Sequence, residues 1–204
     1  MTLDDLDPNS YTFKAGLRMT TYSEFIKTTF AYSSSINMGT INHDLDILHI
    51  ALGIAGEWIE LNNELNKHKE IKDNLSSLYQ APLYNNIDLE KAYLAAEKEL
   101  GDLCYYIQMA ANLCNISIPI NYNKKDHRAI ENFTDAVKKK IFYKHEIYLD
   151  TYILDVWGHL TFIADYEFNK PIEYFIEQNK TKLMKRYPSG KFSSTDAAEK
   201  KDTL

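Results

Sequence analysis

ILHIALGIAGEWIELNNEL, residues 47–65, sets two carboxylates, Glu57 and Glu60, inside an otherwise apolar helical run. A second stretch of the same texture, AEKELGDLCYYI at 96–107, carries Glu99 and Asp102. Carboxylates spaced this way share one helix face, so two such helices side by side would bring four acids to one point. Like charges gathered in a partly apolar setting repel one another unless cations offset them.

Spacing alone does not single these pairs out. Glu70 with Asp73 and Glu199 with Asp202 repeat it in the polar surroundings KHKEIKDN and AAEKKDTL, whereas the pairs at 57 and 99 adjoin hydrophobic stripes and a glycine, Gly56 or Gly101. On the first helix the expected stripe is Leu48, Leu52, Ala55 and Ile59, with Glu57, Glu60 and Glu64 in the neighbouring row. On the second it is Leu100, Leu103, Ile107, Ala110 and Cys114, with Glu99, Asp102 and Tyr106 beside it.

Glycine and proline are scarce and β-branched alternation is nowhere sustained, so the chain reads as all-α. Helices are expected near 21–33, 44–68, 88–115, 127–146, 148–168 and 171–187. Asn42 or Asp44 is placed to cap the second and Asp88 the third, and Pro171 suits the first turn of the last. Residues 34–43 read as a polar loop, 69–87 as an excursion between the acidic helices, and the tail from Ser193 as polar and disordered. GDLCYYIQMAANLCNISI at 101–118 has an echo in GHLTFIADYEFNKPI at 158–172, with Gly158 matching Gly101 and His159 matching Asp102. A duplicated helical hairpin that lost its acids would give that echo, and so would two amphipathic helices sharing a pattern.

With 204 residues, 45% of them hydrophobic, the chain can bury a full core as one domain or as two similar halves. No apolar run approaches a spanning length, and MTLDDLDPNS is acidic rather than a basic leader, which predicts a soluble cytoplasmic protein. A net charge of −6 without a basic face argues against nucleic acid as a partner. The lysine run at 138–140 reads as a solvated helix face, and Cys104 and Cys114 as free thiols.

Acids without histidine partners favour Mg²⁺ or Mn²⁺ over zinc, and the lack of a Glu-x-x-His pair disfavours di-iron chemistry. Such cations engage substrate phosphates, so a polyphosphate is the expected ligand. No glycine-rich phosphate loop is present. Positive partners come best from NKTKLMKRYPSGKFS at 179–193, where Asn179, Lys182 and Arg186 share a helix face and Tyr187 and Lys191 follow. The same cations would also complement the helix dipole. Trp58 reads as core or interface rather than a base-stacking group. His43 and Asn42 stand where a base or sugar could be touched, and His49 reads as a packed or surface residue.

Taken in order, ALGIAGEWIEL, EKELGDLCYYI and NKTKLMKRYPSGKF resemble the MazG-like nucleoside triphosphate pyrophosphohydrolases, and TYSEFIKTTFAY at 21–32 resembles the helix before their first acidic helix. The likeness spans roughly 21–115 and 171–192. It implies a four-helix-core domain over 21–192, between a 1–20 extension and the 193–204 tail. It also implies a homo-oligomer, dimer or tetramer, that cleaves a (d)NTP to a (d)NMP and pyrophosphate. By position Glu57, Glu60, Glu99 and Asp102 would hold Mg²⁺ or Mn²⁺ and carry the catalysis. Lys182 and Arg186 would meet the phosphates, Tyr106 would line the pocket, and Asn179 is matched. The stretch between Glu60 and Glu99 is longer than the family's, and 120–170 inserts a helical pair. That insertion is similar to the related dimeric dUTPases, so a pyrimidine-specific dUTP or dCTP pyrophosphatase is the nearest rival. A non-catalytic nucleotide-binding helical module is the alternative of another class.

Overall fold

A chain so poor in helix breakers builds long helices, and the computed structural model, which describes residues 22–29, 43–76, 86–119 and 121–187, bears this out. Six helices follow one another: α1 (Tyr22–Thr29), α2 (His43–Ser76), α3 (Asn86–Cys114), α4 (Ala129–Phe142), α5 (Asp150–Phe168) and α6 (Ile172–Arg186). No strand occurs among the described residues, so the all-α expectation holds. None of these helices is long and apolar enough to cross a membrane.

The longest helices, α2 and α3, form an antiparallel pair at the centre. Tyr106 meets Gly53 near one end of the contact and Tyr93 meets His68 near the other. α3 is the hub, packed by α1, α5 and α6, while α4 covers α2 and leans on α5. One core joins all six, with Ile26, Ile54, Leu103, Phe133, Trp157 and Phe175 among its buried side chains.

The stripe expected on α3 is buried as read at Leu100, Leu103, Ile107 and Ala110. The stripe expected on α2 is not. There the core takes Ile47, Ile50, Ala51, Ile54 and Leu61, and leaves Leu52 63% and Ile59 60% exposed. Residues 47–55 are apolar around most of the helix circumference, so two neighbouring rows satisfy the helical period, and packing against α3 selects the isoleucine row.

Boundaries shift for identifiable reasons. α2 runs on to Ser76, into the expected excursion, because the buried Ile71 ties its last turns to the fold. α3 begins at Asn86, which puts Asp88 inside the first turn rather than at the cap, and Asp44 likewise lies in the first turn of α2. α4 stops at Phe142, short of 146, where Lys144 enters the left-handed region at φ 56°. Pro171 sits at the N-cap of α6 with extended backbone, one position before the helix. α5 ends on Asn169, also left-handed at φ 52°, with Lys170 N–H donating to the Ala164 carbonyl at 3.1 Å. Asparagine tolerates this geometry better than most residues. Asn42, the ends of the predicted first helix, the 34–42 loop and the tail lie outside the described residues.

Candidate functional site

Glu57 and Glu60 face α3 from the middle of α2, opposite Glu99. One carboxylate oxygen from each of the three lies within 4.8 Å of the others, with Glu57 half-buried, Glu60 exposed and Glu99 buried. Glycine makes the approach possible. A Cβ on Gly53 would meet the Tyr106 ring at 2.4 Å, so Tyr106 lies flat on α2 only because residue 53 has no side chain. Gly56, the glycine adjoining the acid pair in sequence, meets nothing within 4 Å.

The electrostatics record the crowding. Burial pushes the Glu57 carboxyl up to about 8, helped by the charge of Asp102, a hydrogen bond with Glu99 and the charges of Glu99 and Glu60. Glu99 is raised as well, by burial first and then by Asp102. A protonated Glu57 donates to Glu99 and so relieves a repulsion that a cation would otherwise have to offset. All three donors are carboxylate oxygens, a set that could hold a metal ion.

Asp102 stands beside the cluster but has different partners. Lys182 of α6 donates to both of its oxygens, at 2.7 Å to Oδ1, and Asn179 Nδ2 donates to Oδ1 at 2.5 Å. The expected quartet is therefore a trio with Asp102 bound to α6. The cause is local. At Gly101 a Cβ would stand 3.0 Å from the Phe175 carbonyl oxygen and 3.3 Å from Asn179 Cβ, so α6 comes close enough for its side chains to reach the next residue. Asn179 is itself buried and accepts a hydrogen bond from Tyr22 at 3.3 Å, which links α1, α6 and α3 in one polar chain.

Tyr106 lies beside the cluster, against Gly53 and within reach of the Glu57 and Asp102 charges. Burial pushes its hydroxyl up to about 12, with Glu57 and Asp102 adding to the rise and Arg186 opposing it. Arg186 thus stands on the site's side of α6. Tyr187 is buried in the core, and its hydroxyl adds to the rise at Tyr106. Lys191 lies outside the described residues. His49 is exposed, its ring 6.5 Å from that of Tyr106, and His43 is exposed at the start of α2.

Trp58 points away from the acids and packs edge-on against His159 at 5.6 Å. His159 is buried, and its Nδ1 is the one buried side-chain nitrogen or oxygen among the described residues that lacks a hydrogen-bond partner. It is a core histidine, held below its ordinary pKa chiefly by burial. Lys138 and Lys139 both pair with Asp135 on the α4 surface. The cysteines are free, Cys104 buried and Cys114 half-buried.

Sequence reading passed over Glu97, which is buried and held by Lys170 and by Tyr174 at 3.2 Å. Its partners lie more than seventy residues away, and no local spacing signals the pair. Compared with protein-family models, curated proteins and solved structures, the chain matches none.

Proposed function

We propose that the protein is a Mg²⁺-dependent nucleoside triphosphate pyrophosphohydrolase, yielding a nucleoside monophosphate and pyrophosphate. The observation that carries the reading is the convergence of Glu57, Glu60 and Glu99 opposite a helix that presents Lys182 and Arg186. The resemblance of the acidic and basic segments to the MazG-like enzymes supplies the choice of bond. Glu57, Glu60 and Glu99 would hold the cation, with Asp102 beside them. When bound, Mg²⁺ supplies charge withdrawal from phosphoryl oxygens and a lowered pKa for coordinated water.

The chain's own residues do the rest. Lys182 and Arg186 bind phosphate oxygens and orient the triphosphate, and Tyr106 with Gly53 closes the floor beneath it. Water attacks the α-phosphorus, a carboxylate of the cluster accepts the proton that water loses, and the bond from Pα to the bridging oxygen breaks. Pyrophosphate leaves with that oxygen.

Purified protein with Mg²⁺ or Mn²⁺ is expected to release pyrophosphate from at least one member of an NTP and dNTP panel. Glu60→Gln and Asp102→Asn should each lower the rate about a hundredfold or more. Binding of a triphosphate without turnover on the whole panel would instead favour the non-catalytic module, and turnover confined to dUTP or dCTP the pyrimidine-specific rival. The homo-oligomer belongs to the same proposal. What supports it is the row Leu45, Leu52 and Ile59, which α2 leaves exposed at seven-residue spacing.

A further inference from the structure

Asp102 and Lys182 form an ion pair whose side chains are only 14% and 15% exposed, at the edge of an acidic cluster whose other members feel the Asp102 charge. Both carboxylate oxygens of Asp102 are engaged by α6. A cation held by Glu57, Glu60 and Glu99 would face the Lys182 ammonium across Asp102, and that ammonium repels it. Asp102 cannot turn toward the cation without releasing Lys182, and a released, poorly solvated ammonium needs an anion. A phosphate oxygen meets that need.

We propose that Lys182 is an exchangeable counter-ion: Asp102 gives it up to the phosphates when a divalent cation arrives already complexed to a polyphosphate. The site then takes cation and polyphosphate together, in preference to either alone. This deepens the functional reading above and rests on it. A groove of about 210 Å³ between α3 and α6, lined by Glu97, Lys98, Gly101, Tyr174, Asn179 and Lys182, leaves this ammonium reachable from solvent. Asn179, which accepts a hydrogen bond from Tyr22, shares the hold of α6 on Asp102 with Lys182.

Two affinities in one variant test the idea. Mn²⁺ alone is titrated into the full chain by electron paramagnetic resonance, and methylenediphosphonate with Mg²⁺ by calorimetry, which makes the result independent of base preference. Lys182→Gln should bind Mn²⁺ about tenfold more tightly than the unaltered protein, because a nearby positive charge is gone. The same variant should bind Mg²⁺-methylenediphosphonate at least tenfold more weakly. Lys182→Arg should restore both values, and Asp102→Asn should weaken Mn²⁺ binding severalfold. If Lys182→Gln leaves Mn²⁺ affinity unchanged or weakens both ligands, or if Asp102→Asn leaves Mn²⁺ affinity intact, the exchange is overturned while the metal site stands. If the unaltered protein and every variant fail to bind Mn²⁺, the metal-site reading itself falls.

Discussion

Glu57 carries the site's strongest pH signature. Its carboxyl lies at about 8 in the fold against an ordinary 4.5, so the folded chain holds a proton there that the unfolded chain has lost. A raised acid stabilises the fold below its unfolded pKa and loses that contribution as pH rises through the folded value. In chelator the melting temperature should therefore fall between about pH 4.5 and 8, and Glu57→Gln should flatten the fall. An unchanged slope in that variant would remove Glu57 as its source. Glu97 makes a second prediction at this scale. Lys170→Met strands a buried carboxylate and should cost on the order of 3 kcal/mol in urea unfolding, whereas a cost below about 1 would show Tyr174 alone to suffice.

Among the elements, α3 does the most, and glycine decides where its neighbours sit. Gly101→Ala would press a methyl on the Phe175 backbone carbonyl, which cannot swing aside, so a loss of about 1–3 kcal/mol is expected despite better helix propensity. Gly56→Ala meets open space and should stabilise by up to about 1 kcal/mol. Equal effects of the two substitutions would contradict the packing described. How far such features can be read from sequence follows from their range. The pairing of Glu57 with Glu60 was legible because three-residue spacing within a helix is local, and the approach of Glu99 because its segment has the same texture, although the sequence grouped Asp102 with them. The buried row of α2 was not, since two apolar rows compete there and only α3 chooses between them. Nor was the capture of Asp102 by Lys182, eighty residues away, which depends on how closely α6 approaches at Gly101.

For the molecule as a whole, a cation held by the clustered acids would become part of the fold's stability. Saturating Mg²⁺ should raise the melting temperature by mass action, and Glu60→Gln should shrink the rise. No shift with any divalent cation would argue against the cluster as a metal site. Light scattering tests the assembly. The unaltered chain is expected to exceed its 23.7 kDa mass, and Leu52→Glu with Ile59→Glu to return it to that value. A monomer from the start would leave the exposed row without a role.

The state of the two thiols has a practical corollary. Burial raises both, Cys104 far above the ordinary cysteine value, and a protonated sulfur alkylates slowly. A cysteine introduced at the open position 56 would outpace them, so a fluorophore could be attached there with little background. Quenching of that dye by paramagnetic Mn²⁺ would follow ion arrival in real time, one helical step from Glu57.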